Sequence, residues 1–247
     1  ESGDVTAELG NTIWYAAYDG DAWSAPMTIG GTLGFNSDLS VCRDADGDLV
    51  LVWAHADSTG YTITSDADTV FAAQADSNLW YAELTGGGWS APAQMADLAG
   101  TAANAVIGHG ASDGLWAAWT EELDAGNALY AAAWDGGAWS SAVSVASSGI
   151  QGAATVIGVG GQTMLLWAQA TEDNDGDDLH SEAAELFSAT YSGAAWSDPG
   201  RFTLQIADPE ATALAGGTDV NAAGGQSDQG LLGAGASLTF NLDLTLP

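Results

Sequence analysis

"LYAAAWDGGAWSSAVSV", residues 129–145, occurs in similar form three more times in this chain of 247 residues. The other copies are "IWYAAYDGDAWSAPMTI" at 13–29, "LWYAELTGGGWSAPAQM" at 79–95 and "LFSATYSGAAWSDPGRF" at 186–202. In every copy a tryptophan stands ten residues after the first apolar residue, and a glycine stands three before that tryptophan. Two short apolar runs around residues suited to positive φ predict a β-hairpin with a tight turn. The stretch therefore predicts four hairpins of one kind.

A second repeated phrase precedes three of these hairpins. It is "LSVCRDADGDLVLVWAHA" at 39–56, "NAVIGHGASDGLWAAWTE" at 104–121 and "ATVIGVGGQTMLLWAQA" at 154–170. Each copy is an apolar run, a turn with Gly or Asp, and a second apolar run that ends at or near a tryptophan. Two strand pairs per repeat, with hairpin tryptophans 50 to 66 residues apart, are typical of a β-propeller blade. Because helical periodicity is absent, the predicted fold is an all-β propeller of four-stranded antiparallel blades.

The predicted propeller covers residues 1–236 and has about four blades. It consists of an outer strand pair at 12–29, blades at about 38–95, 101–145 and 151–205, and an inner pair at about 210–236. The inner pair would complete the blade that 12–29 begins, and this closure would leave no exposed strand edge. The alternative is that the chain is a piece of a longer array.

Residues 237–247, "SLTFNLDLTLP", fall outside this blade count. Their apolar and polar side chains alternate without interruption, which predicts a β-strand with one apolar face. Five large apolar side chains need a partner surface, so the segment is predicted either to close its own domain or to link subunits.

The repeated tryptophans are predicted to be structural, because a large, rigid side chain at one repeated position suits packing between blades. The alternative for the hairpin tryptophans is stacking on a ligand. The set comprises the hairpin residues Trp23, Trp89, Trp139 and Trp196 and the upstream residues Trp53, Trp119 and Trp167.

The hairpins resemble the Asp-box, or bacterial neuraminidase repeat, whose pattern S-x-D-x-G-x-T-W occurs in secreted bacterial and archaeal β-propellers. The resemblance rests on the glycine three before each tryptophan, at Gly20, Gly86, Gly136 and Gly193. The copies are degenerate, because the motif aspartate is replaced by Tyr18, Leu84, Trp134 and Tyr191. The resemblance implies a propeller, and a shared fold does not imply a shared activity. Sialidases of this kind hold a carboxylate with three arginines, whereas this chain has only Arg43 and Arg201, so a sialidase is not expected.

The charge balance limits the possible partners. The chain has 33 acidic and two basic residues, for a net charge of −31. Nucleic acid is excluded as a partner because phosphate binding needs clustered Lys and Arg. Direct membrane insertion is not expected, because no apolar run approaches the roughly 18 residues of a spanning segment. Only 14% of residues are charged, against about 25% in typical soluble domains, and this favours an extracellular or cell-surface protein over a salt-adapted cytoplasmic one.

Two acidic stretches are candidate calcium sites, because alternating carboxylates on a flexible turn supply hard oxygen ligands. Their candidate ligands are Asp44, Asp46 and Asp48 in the first stretch, and Asp173, Asp175, Asp177 and Asp178 in the second. Ordinary Asp-Gly turns are the alternative, since neither stretch keeps the EF-hand spacing. Apart from calcium, no cofactor is expected.

Three functions remain open, in descending order of preference. The first is a non-catalytic structural or adhesive surface protein, which self-associates or binds other surface proteins or glycans. The second is a glycan-binding lectin, with Tyr15, Tyr81 and Tyr130 at near-equivalent positions as candidate ligand contacts. The third is a glycoside hydrolase, which needs only two suitably spaced carboxyl groups. No catalytic residues are predicted.

Added salt or calcium is expected to stabilise the protein. Screening and divalent cations both reduce repulsion among the 33 acidic residues. We expect the melting temperature to rise by several degrees from low salt to high salt or millimolar calcium. Thermal denaturation followed by circular dichroism measures this, and identical melting temperatures in all three buffers would contradict it.

Overall fold

A computed structural model describes residues 10–62, 66–96, 98–123, 126–147, 149–170 and 184–202. The chain divides into two units, Glu1–Arg201 and Phe202–Pro247, and all the sheets described below belong to the first. The predicted strand segments 210–236 and 237–247 and the acidic stretch at 172–178 lie outside the described residues. The fold is all-β with antiparallel sheets, which confirms the predicted class.

The strands form four antiparallel sheets in chain order. The N-terminal hairpin pairs β1 (Trp14–Tyr15) with β2 (Met27–Thr28). The first sheet contains β3 (Phe35–Arg43), β4 (Leu49–Ala56), β5 (Asn78–Thr85), β6 (Gly88–Trp89) and β7 (Ala93–Ala96). The second sheet contains β8 (Thr101–His109), β9 (Leu115–Leu123), β10 (Gly126–Ala133) and β11 (Val143–Ala146). The third sheet contains β12 (Ile150–Val159), β13 (Gln162–Ala170), β14 (Ala184–Tyr191) and β15 (Gly200–Arg201).

Each sheet follows the order of its strands along the chain. In the first sheet both β6 and β7 pair with the outer side of β5, so the outermost position is shared by two short strands. The inner strands β3, β8 and β12 are neighbours from one sheet to the next. Antiparallel pairing of strands that are consecutive along the chain gives this simple meander.

One α-helix interrupts the strands. Helix α1 (Ala67–Gln74) lies in the connection between β4 and β5, and the Asp66 side chain caps it by accepting from the N–H groups of Asp68 and Thr69. Helical periodicity is absent from the sequence, so the sequence did not predict this short helix. Ala73 is the one buried residue of α1, so a helix without an apolar face left no periodic signal. No helix in the described part of the chain is long and apolar enough to span a membrane.

The four predicted hairpin turns are confirmed. The predicted turn glycines all have positive φ, at +105° for Gly20, +57° for Gly86, +97° for Gly136 and +94° for Gly193. The serine that follows each tryptophan fixes the hairpin from the opposite strand. Ser140, for example, accepts a hydrogen bond from the Ala133 N–H on its hydroxyl and donates its own N–H to the Ala133 carbonyl. Ser24, Ser90 and Ser197 make the same pair of bonds.

The cores lie between successive sheets. The second strand of each sheet carries one tryptophan that is at most 1% exposed: Trp53, Trp119 and Trp167. Each belongs to an apolar cluster shared with the preceding sheet or hairpin. Trp53 clusters with Ile13 and Ile29, Trp119 with Val52 and Leu79, and Trp167 with Trp116 and Leu129. The sheets are therefore held together face to face, one junction after another.

The inner strands approach one another closely at glycines. A Cβ atom on Gly158 of the third sheet would lie 2.4 Å from the carbonyl oxygen of Gly110, next to the second sheet. Any side chain at this position would force the backbones apart, so glycine is needed here for packing.

Gly158→Ala is therefore expected to destabilise the fold by roughly 1–3 kcal/mol through overpacking. Gly200→Ala is the matched control, because no atom lies within 4 Å of the added Cβ, and its expected change is within about 0.5 kcal/mol. Urea denaturation of both variants measures the difference, and equal stabilities would show that the two inner strands do not meet as described.

Candidate functional site

The hairpin tryptophans lie at the junctions between sheets. Each packs against an aromatic ring of the preceding unit, with ring centroids 5.9 Å apart for Trp89 and Tyr15. The corresponding distance is 6.2 Å for Trp139 and Tyr81, and 5.3 Å for Trp196 and Trp116. These three tryptophans are half-buried, so the repeated residue serves as a contact between sheets.

The N-terminal hairpin breaks this pattern. No sheet precedes it among the described residues, and Trp23 is 69% exposed where its three counterparts are half-buried. Tyr18 is 55% exposed, whereas Trp134, at the same position of the third hairpin, is 8% exposed. The aromatic surface that the repeat normally buries therefore faces outward here.

The backbone of this hairpin is also incompletely paired. Strand β1 corresponds to β5, β10 and β14, each of which pairs with a strand on both edges. Within the described residues β1 pairs with β2 alone. The position next to β1 that β4, β9 and β13 occupy in the other sheets holds no described strand.

An apolar groove lies between β1 and the first sheet. Its volume is about 370 Å³. Two of its lining residues, Leu39 and Val41 on the inner strand β3, are 50% and 54% exposed. The remaining walls include Ile13, Trp14, Tyr15, Leu49, Leu51 and Trp89. The groove and the unpaired edge of β1 together make the N-terminal hairpin the candidate functional site.

Sequence reasoning did not identify this groove. Leu39 and Val41 alternate with polar residues along β3, as in any strand with one apolar face. Because alternation shows that a strand has an apolar face and not what covers that face, no signal in the sequence marked these two residues as exposed.

The three predicted ligand-contacting tyrosines lie at different places and do not form one site. Tyr15 packs on Trp89 and lines the apolar groove. Tyr81 packs edge-on against Trp134 and Trp139. Tyr130 stacks on Trp119 with centroids 6.1 Å apart. Each ring is half-buried in packing, and their role in ligand binding stays a prediction.

The first acidic stretch forms the turn between β3 and β4. The Asp44 carboxylate accepts hydrogen bonds from the N–H groups of Asp46 and Asp48, and Gly47 has a φ of +90°. This is the Asp-Gly turn weighed as the alternative to a metal site. Burial, followed by the charges of Asp44 and Asp48, raises the pKa of Glu83, so negative charge accumulates at this turn.

No group of three or more His, Cys, Asp or Glu side chains within the described ranges is arranged to hold a metal ion. The second predicted stretch, with Asp173, Asp175, Asp177 and Asp178, lies outside those ranges. Calcium binding therefore stays a prediction for both stretches.

The two arginines are far apart in the fold. Arg43 ends β3 and donates to the Gly47 carbonyl within the turn, whereas Arg201 pairs with Glu185 at 2.7 Å on the outermost strands of the third sheet. They form no common carboxylate-binding site.

Comparison with known proteins bears on the fold alone. No family model matches the sequence, and no curated protein matches it significantly. A protein of unknown function from Dyadobacter fermentans DSM 18053 has a similar structure, with a TM-score of 0.53 and 13% identity over 77% of this chain and 58% of that chain. A glycosyl hydrolase from Bacteroides ovatus matches with a TM-score of 0.39 and 13% identity over 66% of this chain and 50% of that chain. The chain thus spans little more than half the length of the first and half of the second, whose likeness is too weak to inform fold or function.

The same substitution at two equivalent tryptophans is expected to have unequal effects. Trp139→Ala removes a ring packed between two sheets and should destabilise by roughly 2–4 kcal/mol. Trp23→Ala removes a ring that is 69% exposed and should change stability by about 0.5 kcal/mol or less. Urea denaturation at low protein concentration measures both. Equal losses would show that another part of the same chain covers Trp23.

Proposed function

We propose that this protein is a non-catalytic β-propeller of the cell surface or extracellular space, with a structural and adhesive role, whose copies join through the N-terminal hairpin. The observation that carries the proposal is that, among the described residues, β1 is paired on one edge alone. Its three counterparts are paired on both sides, while β1 borders an apolar groove of about 370 Å³ instead.

The order of the strands supports the propeller. Three successive sheets each run through their strands in chain order, pack face to face, and have their inner strands side by side. This is how propeller blades are arranged. The N-terminal hairpin then supplies the outer pair of a further blade whose inner strands are not among the described residues.

Residues 237–247 are the best match to the vacant position. Their five apolar side chains, four leucines and one phenylalanine, share one face of the predicted strand and suit a groove walled by Leu, Val and Trp. The segments at 211–217 and 230–236 consist mainly of alanine and glycine and would fill the groove poorly. We assign 237–247 of a second copy to the groove, as a strand added to the open edge of β1.

Exchange of this strand would link copies head to tail. One groove and one strand per copy give a heterologous contact, which closes into a ring or continues as a filament. Burying each large apolar side chain contributes roughly 1.5–3 kcal/mol, which favours association once the charge of −31 per copy is screened by salt.

Two variants with complementary defects test the assembly. Val41→Asp places a charge in the groove, and deletion of 237–247 removes the strand, so each variant is expected to be monomeric in high salt where the wild type forms larger species. An equimolar mixture should form heterodimers, because the deletion variant keeps its groove and the Val41→Asp variant keeps its strand. Light scattering coupled to size exclusion and negative-stain microscopy measure the masses and shapes.

Val143→Asp is the matched control. Val143 is 46% exposed on the second sheet, close to the 54% of Val41, and it lies outside the groove. This variant should assemble like the wild type. A wild type that is monomeric in high salt, together with a deletion variant that melts much earlier, would mean that the strand completes its own chain, and the assembly proposal would be wrong.

A further inference from the structure

A second cavity lies at the end of the first sheet where β4 ends and β5 begins. Described residues of the connection between these strands border this open cavity, whose volume of about 540 Å³ is typical of small-molecule sites. Its walls combine aromatic rings with neutral and acidic polar groups: His55, Asp57, Thr59, Tyr61, Asp76, Asn78, Trp80 and Gln94. The tyrosines that sequence analysis selected as ligand contacts are not among them.

His55 is held in the wall by its neighbours. Its Nδ1 lies 2.7 Å from the Asn36 Oδ1, and the Asn36 amide group donates to the carbonyls of Asn11 and Thr32. Because the oxygen of Asn36 faces the ring, Nδ1 carries the proton and Nε2 has a free lone pair. Gly34 makes room for the ring, since a Cβ there would lie 2.2 Å from the His55 Cε1.

The ring of His55 is neutral near pH 7. Burial is the main cause that lowers its pKa below the ordinary value of 6.5, and the charge of Asp57 opposes this in part. Nε2 is therefore able to accept a hydrogen bond, and no described residue donates one to it. A hydroxyl group of a ligand can donate a hydrogen bond to this lone pair.

An aromatic ring and a carboxylate line the same cavity as His55. The Trp80 ring is 5.1 Å from the His55 ring, and Gln94 lies opposite Trp80 on the adjacent strand. The Asp57 Oδ1 accepts from the N–H and hydroxyl of Thr59, and these bonds, the hydroxyl first, lower the pKa of Asp57. The Asp57 carboxylate is therefore charged near neutral pH.

We propose that this cavity binds a neutral pyranose unit of a glycan. A sugar ring offers both features that the walls address: a face of C–H groups for Trp80, and hydroxyls for the His55 Nε2, the Asp57 carboxylate and the Gln94 amide. Asp57 and Asp76 line the cavity and the whole chain carries a charge of −31, so phosphate and carboxylate ligands are repelled.

This site is independent of the proposed assembly. No residue lines both the cavity and the apolar groove. Glycan binding can therefore succeed where strand exchange fails, and the reverse.

The test uses the full chain and a panel of methyl glycosides of glucose, galactose, mannose and N-acetylglucosamine. Glucosamine and glucose 6-phosphate serve as cationic and anionic comparators. Saturation-transfer NMR detects contact and isothermal titration calorimetry gives the Kd. We expect at least one neutral glycoside to bind, and Asp57→Asn and Gln94→Ala each to raise its Kd at least tenfold. Asp57→Asn keeps an oxygen for the Thr59 bonds, so the fold is retained.

Two matched variants control for charge and surface change. Asp21→Asn and Gln74→Ala alter exposed residues that do not line the cavity, and both should leave the Kd within twofold. The proposal is overturned if no neutral glycoside binds, if glucosamine or the phosphate ester binds in preference, or if the control variants weaken binding as much as the cavity variants do. Unchanged Kd values in both cavity variants would also overturn it, because the sugar would then lie elsewhere.

Discussion

The packing of each sheet on the one before it is the contact on which the rest of this structure depends. A single four-stranded sheet has two faces to cover, and here a fully buried tryptophan on the second strand and a half-buried one on the outer hairpin cover one of them. Trp119 and Trp139 do this between the first and second sheets. The contact is directional, because the tryptophans of each sheet pack against the sheet or hairpin that precedes it in the chain. Among the described residues, the N-terminal hairpin has no preceding sheet against which its tryptophan packs.

The exposed rings and the open edge of the N-terminal hairpin follow from that rule. Trp23 and Trp139 occupy the same position of similar hairpins, and the difference in their exposure comes from what lies beside them. Within the described part of the chain, β1 also has no inner neighbour. Exposed apolar groups and unpaired backbone at one place favour the addition of a strand, so the structural rule of the repeat also determines where a partner would bind.

Much of the fold could be predicted from the repeats. The all-β class and the four glycine turns follow from residue types at fixed spacing, because a turn of positive φ favours glycine wherever it recurs. Helix α1 could not be predicted this way, since it is exposed and has no apolar face. Nor could the serines after each tryptophan be assigned, because their hydrogen bonds reach a residue seven positions earlier on the paired strand. The groove and the His55 cavity depend on which elements are neighbours in space, and neither leaves a periodic trace.

The two candidate sites differ in how they relate to the repeat. The groove borders the N-terminal hairpin, whereas the His55 cavity lies beside a connection that is much longer than its equivalent in the second sheet. Strands β9 and β10 are joined by residues 124–125, while the equivalent connection between β4 and β5 runs from Asp57 to Ser77 and includes α1. Repeated positions are constrained by packing against the next sheet and cannot vary freely. Residues of the connection carry no such constraint, and there the chain places Asp57, Thr59 and Tyr61 in the wall of a cavity that His55 and Trp80 of the strands also line. Selectivity for a ligand is therefore expected to reside in this connection, while the sheets hold it in place.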